Sequence, residues 1–548
     1  MKPTEQQLLI IKHDGNSVII AAPGSGKTYV ISEKIKINLT NLLEHQGIIA
    51  ISYTNKASTE LKNRSLSNGE NPKSSFFGTI DKFNLSEIII PFGKQLFGIP
   101  TEDIKITKIT SLPFNKKDDF EWFNRNLSLN QIEEDQINTL KTYFLRGSIL
   151  IETIGVLANF IFTNSISCQN YIKSRYKYIY IDEYQDSGFE QHQIFLKIQN
   201  LNIKSIAVGD LNQSIYAFSG KDAKYLEELT KKPSFKYFKL DKNHRCHPSI
   251  INYSNFLLNS KTELIPVEPN FIFFHRVEGN EKNIAMWLDE KIDSIQKAFK
   301  IEKRNQIAIL TRTSRTGEII NVELKELHKL SISNELDTNL NVWSAIFSNL
   351  LHFIYDDNFK FIDVIEIFTS YDRFSSSELK RLSEAKKVIE RLITTKNFDN
   401  ERVIKVFKTI ASIVAPNSEN TESVDLLTSV LNNPIELKSY EPANENEVNI
   451  LTIHKSKGLE YDFVFHLDLY EWVFPNKRPG PNNDFNNPVF GDWKQDLNLH
   501  YVGITRARKG CFFISSTKRT NNEGSTKNGK DSEFIWVEGI EDLRYKKK

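Results

Sequence analysis

A short loop that ends in Gly-Lys-Thr has the composition of a phosphate-binding site. It follows an apolar run at residues 17–22 and precedes a helix-like pattern. Glycines let backbone N–H groups approach phosphate oxygens, the lysine reaches the terminal phosphates, and the threonine hydroxyl can ligate Mg²⁺. Because glycine is usual where this chain has Ala21, a turn before a structural helix is the alternative. The predicted phosphate-binding residues are Ala22, Pro23, Gly24, Ser25, Gly26, Lys27 and Thr28.

Two adjacent acids follow a second apolar run. Residues 178–181 read Tyr-Ile-Tyr-Ile, and Asp182 and Glu183 come directly after them. An ATPase needs such acids beside its phosphate loop: Asp182 can hold Mg²⁺ through water, and Glu183 can polarise the attacking water as a general base. A solvated acidic turn is the alternative, but the apolar run before the pair disfavours it.

The elements that must position these groups are strands and one helix. The apolar runs at 17–22, 178–181 and 205–208 predict strands, and Val30 and Ile31 belong to a helical pattern after the loop. Strands that end in polar loops indicate a parallel α/β sheet with ligands at its carboxyl edge. The residues alone therefore predict a nucleoside triphosphatase without saying which.

Bulk properties limit the class of protein. A chain of 548 residues predicts about three or four domains. Its 39% hydrophobic and 26% charged residues are typical of a globular protein. The sequence predicts neither a membrane-spanning segment nor a secretion signal at residues 1–10. Three widely spaced cysteines predict a cytoplasmic protein without disulfides or a zinc site. A net charge of +2 excludes a polycation-type DNA binder but allows a motor with a local basic channel.

Eight blocks, the acidic pair among them, lie at residues 4–7, 52–57, 78–83, 182–186, 209–220, 240–245, 452–460 and 501–508. They occur in the order found in the UvrD/Rep/PcrA group of DNA helicases, which the chain resembles along nearly its whole length. One block alone is moderate evidence, whereas eight in order are specific. The resemblance implies an α/β fold with two RecA-like P-loop domains, helical insertions in each, and ATP and Mg²⁺ as cofactors.

The same resemblance implies roles at the nucleotide. Gln213 would touch the γ-phosphate and report hydrolysis to the DNA side. Arg245 and Arg506 would act as arginine fingers that neutralise charge as the phosphoryl group leaves. With Lys27, Asp182 and Glu183 they form the predicted catalytic set. The implied contacts to adenine and ribose are Gln6, His244 and Glu460.

The resemblance also implies a grip on single-stranded DNA. Aromatic faces stack on successive bases in a sequence-tolerant way, although core packing is the alternative for any single aromatic residue. The implied stacking residues are Tyr53, Tyr216 and Phe218. The implied contacts to the DNA backbone are Asn55, Lys56, Arg64, Thr79 and His454.

Three positions depart from the pattern of that group. His244 replaces a tyrosine, which predicts less extensive stacking on adenine, and Ser219 replaces an arginine and Asp81 a histidine, which predicts weaker DNA binding. Asp81, residues 86–89 and 91–92, and the sequence of the acidic block resemble the compact helicase subunit of bacterial Gabija anti-phage systems. That resemblance implies a partner, an OLD-family nuclease with an ATPase and a Toprim domain.

The domain layout follows from the order of the blocks and the apolar periodicity. We expect residues 1–85 and 165–255 to form RecA-like domain 1A, with a helical insertion 1B at 86–164. Residues 256–325 and 441–548 should form RecA-like domain 2A, its first strand at 305–311, with a short helical insertion 2B at 326–440. The composition of 516–532 predicts a mobile loop or tail segment.

The leading functional hypothesis is an ATP-dependent translocase or helicase on single-stranded or tailed DNA, of 3′–5′ polarity by resemblance, which acts with a nuclease in anti-phage defence. One alternative is a DNA-stimulated ATPase that regulates a partner nuclease without processive unwinding. A stand-alone DNA repair helicase is another, and an RNA helicase is disfavoured by the blocks.

Overall fold

Two six-stranded parallel sheets, each covered by helices, organise the chain. The computed structural model describes residues 3–102, 104–123, 129–217, 220–331, 333–339, 341–357, 359–366, 374–395, 399–416, 418–521 and 524–546. The predicted fold class, α/β with two parallel-sheet domains, is confirmed. We call the parts of the chain around the two sheets the first and the second domain.

The first domain and its insertion contain the elements up to residue 258. The strands are β1 (Ser17–Ala21), β2 (Gly47–Ile51), β3 (Phe76–Gly78), β4 (Lys105–Thr107), β5 (Ser148–Leu150), β6 (Tyr176–Ile181), β7 (Lys204–Gly209) and β8 (Lys236–Leu240). The helices are α1 (Glu5–Lys12), α2 (Lys27–Thr40), α3 (Asn55–Ser65), α4 (Ile80–Phe83), α5 (Ile90–Phe97), α6 (Phe114–Lys117), α7 (Glu134–Leu145), α8 (Ile154–Asn164), α9 (Ile166–Arg175), α10 (Phe189–Gln199), α11 (Lys224–Thr230) and α12 (Pro248–Leu258).

The first sheet has the strand order β3-β2-β6-β7-β1-β8. Both of its faces are buried: Val18 and Ile49 pack into the core on one face, and Ile19 and Ile48 into the core on the other. This explains why the strands read as continuous apolar runs rather than as alternating patterns. The carboxyl ends of the strands lie at one edge, so the loops that follow β1, β6 and β7 meet there.

The segment 86–164 shares the core of the first sheet. Ile154, Leu157 and Ile161 on α8 are buried in the same cluster as Ile49. The segment is mainly helical, but β4 and β5 add a small parallel sheet. Among the described residues no single helix has the length and composition of a membrane span. Only the pair Ile151–Asn164 and Ile166–Arg175, bent by 96°, passes that test jointly.

The second domain and its insertion contain the remaining elements. The strands are β9 (Ile272–Val277), β10 (Ile307–Thr311), β11 (His328–Ser331), β12 (Val448–Thr452), β13 (Tyr461–His466), β14 (Lys477–Gly480), β15 (Asp484–Phe490), β16 (Ala507–Ser516), β17 (Lys518–Thr520) and β18 (Thr526–Asn528). The helices are α13 (Glu281–Ala298), α14 (Ser314–Glu323), α15 (Glu335–Thr338), α16 (Val342–Tyr355), α17 (Phe361–Ile365), α18 (Ser376–Thr395), α19 (Asn400–Val414), α20 (Thr421–Asn432), α21 (Pro434–Lys438) and α22 (Trp493–Thr505).

The second sheet has the order β11-β12-β10-β13-β16-β9. The expectation that 305–311 supplies its first strand is wrong, because β9 precedes it in the chain. As an edge strand, β9 buries only Ile272 and Val277, so its pattern is weak in sequence. Helix α12 packs Tyr253 against Phe513 in the core of this sheet, so the expected boundary at residue 255 falls inside a helix.

A helical insertion, α15 to α21, leaves the second domain between β11 and β12. Its core includes Ile346 and Leu350 of α16 and Ile389 of α18. Two contacts tie it to the first domain: Thr59 Oγ1 donates to Asp363 Oδ1 at 2.9 Å, and Lys82 Nζ lies 2.8 Å from Glu366 Oε2.

The segment 516–532 contradicts the expectation of a mobile tail. Strands β17 and β18 pair in an antiparallel hairpin. The Thr520 backbone N–H donates to Glu281 Oε1 at 2.9 Å, and Glu281 is buried. The polar composition of this segment did not reveal the hairpin, because backbone hydrogen bonds rather than apolar side chains stabilise it.

Candidate nucleotide and nucleic-acid sites

The phosphate loop packs directly against the loop that carries Arg245. Gly24 and Gly26 have φ angles of +68° and +83°, which favour glycine. The His244 backbone N–H donates to the Gly24 carbonyl at 2.9 Å. A Cβ on Gly24 would lie 2.5 Å from Asn243 Oδ1 and 2.6 Å from Arg245 Cβ. Gly24 is therefore required both by its backbone angles and by this close approach.

Gln7, rather than Gln6, contacts the phosphate loop. Its Nε2 donates to the Ser25 carbonyl at 3.0 Å, and it closes a capping box with Thr4 at the start of α1. Gln6 is exposed, and its Nε2 donates to Asp241 Oδ1 at 3.0 Å. The geometry thus gives no support to Gln6 as the adenine contact, since it does not line the nucleotide cavity.

The paired acids after β6 hold the loop lysine. Lys27 Nζ lies 3.1 Å from Asp182 Oδ1 and forms an ion pair with Glu183. Burial alone would lower the pKa of Lys27, but the two carboxylates raise it above its ordinary value. Burial also works to raise the pKa of Glu183, but the charges of Lys27 and then Lys457 lower it. Glu183 is therefore ionised at neutral pH, as a general base must be.

A hydrogen-bonded chain links these acids to the loop after β7. The Asp210 backbone N–H donates to Gln185 Oε1 at 3.0 Å, and Gln213 Nε2 donates to Asp210 Oδ2 at 3.0 Å. Burial raises the pKa of Asp210 to about 6. The chain fixes Gln213 at the carboxyl edge of the first sheet.

Two arginines reach the cleft from opposite sides. Arg506, only 2% exposed, donates from Nη2 to Gln213 Oε1 at 3.4 Å and from Nη1 to the Leu459 carbonyl at 3.1 Å. Burial, followed by the charge of Arg245, lowers its pKa. Arg245 Nε lies 2.6 Å from Glu460 Oε2. The guanidinium of Arg506 thus already touches the residue predicted to sense the γ-phosphate.

One cavity of about 1020 Å³ gathers most of the predicted nucleotide residues. Those that line it are Ala22, Pro23, Gly24, Gly26, Lys27, Thr28, Glu183, Gln213, His244, Arg245, Glu460 and Arg506. Tyr29 also lines the cavity. No sequence signal indicates this contact, because Tyr29 reads as an ordinary residue of helix α2. Lys56 and Arg64, expected at the DNA, line this cavity too.

An ion pair inside the protein joins the two domains. Lys457 Nζ lies 2.6 Å from Asp186 Oδ2 and donates to the Gln213 carbonyl at 2.7 Å. Its ammonium group also stands 4.7 Å from the centre of the Tyr216 ring. Burial raises the pKa of Asp186 to about 6, against the charge of Lys457. Lys457 lies in the block 452–460, but its sequence context alone predicts no role for it.

Three of the predicted DNA residues form one surface. The rings of Tyr53 and Tyr216 stack with centroids 5.2 Å apart, and His454 lies 6.4 Å from Tyr216. Burial, then the charge of Arg312, lowers the pKa of His454 to about 4, so its ring is neutral at neutral pH. Phe218, and Ser219 beside it, lie outside the described residues.

The remaining DNA candidates lie on either side of this surface. Thr79 and Asp81 line a pocket of about 280 Å³ together with Tyr53. Asn55 lines a narrower cleft beside α17. The structure therefore brings Thr79 next to the aromatic pair, whereas Asn55 faces the helical insertion.

The fold and this cleft define a class. A phosphate loop, paired acids at the carboxyl edge of one parallel sheet, and an arginine from a second parallel sheet make a two-domain P-loop ATPase. Residues 6–219 match a family described as AAA domain, and residues 349–519 match the UvrD-like helicase C-terminal domain.

Known proteins resemble the chain from end to end. Gabija protein GajB of Bacillus cereus (strain VD045) is 27% identical over 93% of this chain and 95% of its own length. ATP-dependent DNA helicase Rep of Buchnera aphidicola subsp. Schizaphis graminum is 26% identical over 97% and 96%. ATP-dependent DNA helicase PcrA of Bacillus subtilis (strain 168) is 22% identical over 97% and 84%. The chain carries an AAA domain and a UvrD-like helicase C-terminal domain, and it is an ATP-dependent DNA helicase or hydrolase.

Proposed function

We propose that this helicase translocates 3′–5′ on single-stranded DNA and acts with a separate nuclease in a bacterial anti-phage defence system. The similarity to Gabija protein GajB, which covers 93% of this chain and 95% of that relative, carries the proposal. A cytoplasmic location, where ATP and phage DNA are available, goes with it.

The cleft supports a defined division of roles in ATP hydrolysis. Thr28 and Asp182 offer the oxygen donors that Mg²⁺ takes together with nucleotide phosphates, so the residues present fit that ion. When bound, the ion neutralises phosphate charge. Glu183 polarises the attacking water, and Lys27 holds the terminal phosphates. Arg506 and Arg245 stabilise the charge that develops on the transferred group.

DNA binding would reach the cleft through Tyr216. Bases stack on Tyr53 and Tyr216, whose rings are already paired, and Thr79 and His454 contact the backbone. Lys457 touches Tyr216, Asp186 and the Gln213 carbonyl, so a change at the aromatic pair acts on the γ-phosphate sensor. We assign Lys56 and Arg64 to the nucleotide side, where they line the cavity.

The partner would be an OLD-family nuclease with a Toprim domain. Asp81 beside Tyr53 places a negative charge where a phosphate passes, which weakens DNA binding at physiological salt. A helicase that binds DNA weakly would benefit from a partner protein that holds the DNA. The end-to-end similarity to Rep favours a second candidate function, a stand-alone DNA helicase.

Co-expression with the neighbouring gene product separates the two candidates. We expect one complex in size-exclusion chromatography and protection against phage, and we expect the Glu183→Gln variant to form the complex without protecting. Strand displacement on duplexes with 3′ or 5′ tails should proceed only from the 3′ tail. A monomer that unwinds long duplexes unaided and gives no protection with its neighbour would overturn the partner proposal.

A further inference from the structure

The carboxylate of Glu460 is shared between two arginines, one from each side of the cleft. Its Oε2 lies 2.6 Å from Arg245 Nε, in the loop after β8 of the first domain. Its Oε1 lies 3.5 Å from Arg508 Nη1, on β16 of the second domain. Glu460 lines the nucleotide cavity, so this shared carboxylate belongs to the wall of the site.

The guanidinium of Arg508 is held by side chains of the second domain. Its Nε lies 3.0 Å from Asp462 Oδ1, close enough for an ion pair although the N–H is not directed at an acceptor. Its Nη2 donates to Gln306 Oε1. Gln306, Asp462 and Glu460 precede or begin strands β10 and β13, which are neighbours in the second sheet. The contact between Arg508 and Glu460 therefore does not depend on how far the two domains stand apart.

The contact between Arg245 and Glu460 does depend on the domains and on the nucleotide. A guanidinium that turns to the phosphates leaves Glu460, because the phosphate charges compete with a carboxylate for the same N–H groups. Glu460 then loses its shorter ion pair and keeps only Arg508. Without Arg508, its side chain would be free to turn toward solvent, since it is already 40% exposed.

We propose that Arg508 is a positioning residue that holds the Glu460 carboxylate at the ribose side of the cleft after Arg245 turns to the phosphates. This rests on the proposed function, in which Arg245 is an arginine finger and Glu460 accepts a hydrogen bond from a ribose hydroxyl. Arg508 thereby sets the preference of the site for nucleotides that carry those hydroxyls.

The expected effect is modest. Ion pairs between groups as exposed as Glu460 and Arg508, at 40% and 32%, contribute little individually because solvent screens them. The loss should therefore appear in KM and in the choice of sugar, while kcat, which depends on Arg506 and Glu183, stays within about twofold.

The test compares Arg508→Ala with Lys509→Ala. Lys509 Nζ lies 2.9 Å from Asp462 Oδ2, so it shares the anchor of Arg508, and no hydrogen bond or ion pair joins it to Glu460 in the described part of the chain. Steady-state ATPase activity is measured with ATP and with 2′,3′-dideoxy-ATP. For Arg508→Ala we expect KM for ATP to rise about two- to fivefold and the preference for ATP over the dideoxy nucleotide to fall by the same factor. Lys509→Ala should keep both wild-type values.

Two further measurements test whether Arg508 acts on the nucleotide through Glu460. In a Glu460→Gln background, Arg508→Ala should add no further loss of sugar preference. Calorimetric titration of both nucleotides into the Glu183→Gln variant, with and without Arg508→Ala, reads the same preference without turnover. Absence of ATPase activity in the wild-type protein would contradict the proposed function. The calorimetric titrations would still show whether Arg508 affects the preference for the sugar. An unchanged sugar preference in Arg508→Ala, or an equal loss in Lys509→Ala, overturns the inference.

Discussion

The two sheets meet the nucleotide cleft with opposite edges. In the first domain, Asp182 and Asp210 follow the carboxyl ends of β6 and β7. In the second domain, Glu460 and Arg506 precede the amino ends of β13 and β16. The first edge is built around catalytic acids and a phosphate loop, and the second supplies the buried arginine. In the proposed mechanism, the first domain binds the phosphates, whereas completion of the catalytic set requires both domains.

The ion pairs across the cleft run in both directions. In one pair, Arg245 of the first domain meets Glu460 of the second, and in the other, Lys457 of the second meets Asp186 of the first. Neither domain is therefore simply the cationic or the anionic partner. The contrast between the domains lies in the groups that face the phosphates.

The largest effect should come from the acidic edge of the first domain. We expect Lys27→Ala and Glu183→Gln to abolish turnover while the fold remains intact. Glu183→Gln should still bind ATP and trap the DNA-bound state, because only the general base is lost. The matched control is Glu227→Gln, which removes the charge of an exposed acid on α11 that pairs with Lys231. Near-normal ATPase activity of purified Glu183→Gln would contradict the mechanism.

The buried arginine of the second domain should come next. We expect Arg506→Ala to lower kcat about a thousandfold, with much less effect on nucleotide binding, because the guanidinium acts on the transition state. Since Arg506 is buried, circular dichroism melting must show that the variant is folded. A loss seen mainly as weaker ATP binding would make Arg506 a ground-state anchor.

Glycines on the two sides of the cleft offer a finer comparison. Gly24 and Gly458 both have positive φ angles, +68° and +84°, but only Gly24 has neighbours that a Cβ would meet. Alanine costs about 1–2 kcal/mol at either position for the left-handed backbone. Gly24→Ala should in addition displace the loop of Arg245 and reduce kcat/KM about tenfold more than Gly458→Ala. Equal losses would show that the packing of the two loops is unimportant.

The last comparison concerns pH, to which the buried histidines of the second domain and the buried acids of the first should respond with opposite sign. His466 and His500 are fully buried in the second domain, with their ring nitrogens 3.0 Å apart. Burial lowers the pKa of His466 to about 4 and that of His500 well below its ordinary value. The unfolded chain therefore binds more protons between about pH 4 and 6.5. The stability from these groups is complete above about 6.5 and falls by about 1.4 kcal/mol per histidine per pH unit below it.

Buried acids give the first domain the opposite trend. Burial raises the pKa of both Asp186 and Asp210 to about 6, so the folded state binds more protons between about pH 4 and 6, and their contribution falls as pH rises through that window. Hydrogen exchange at pH 6.5 and 5 should show protection falling first in the second domain. His500→Gln should flatten that dependence, and His45→Gln, an exposed control, should not. Equal loss in both domains would refute the contrast.

The difference in edges also explains what the sequence could predict. Lys27, Asp182 and Gln213 follow apolar strands, so the rule that ligands bind at carboxyl ends locates them. Glu460 and Arg506 precede their strands, and only the resemblance to known helicases indicated them. Arg508 and Lys457 act through contacts between segments distant in sequence, which no local pattern encodes. Lys56 shares a block with Tyr53 and Arg64 follows that block, so both were expected at the DNA, but the helix that carries them presents its residues to different surfaces.

The same limit applies to the fold. Strands buried on both faces, such as β1 and β6, were recognisable as apolar runs, and so was the one-sided pattern of α16. The edge strand β9 fully buries only two of its six side chains, and the β17–β18 hairpin buries none, so hydrophobic patterning could not reveal them.

The contact between Gln213 and Arg506 has a consequence for how the protein is made. The two residues are 293 positions apart in the chain, and Lys457 is 271 positions from Asp186. During translation the phosphate loop and its acids leave the ribosome long before either cation. A nascent chain can thus expose a formed phosphate loop while it still lacks the groups that drive hydrolysis. In the proposed mechanism, ATP hydrolysis can begin only when synthesis has passed residue 506 and the second domain has folded onto the first.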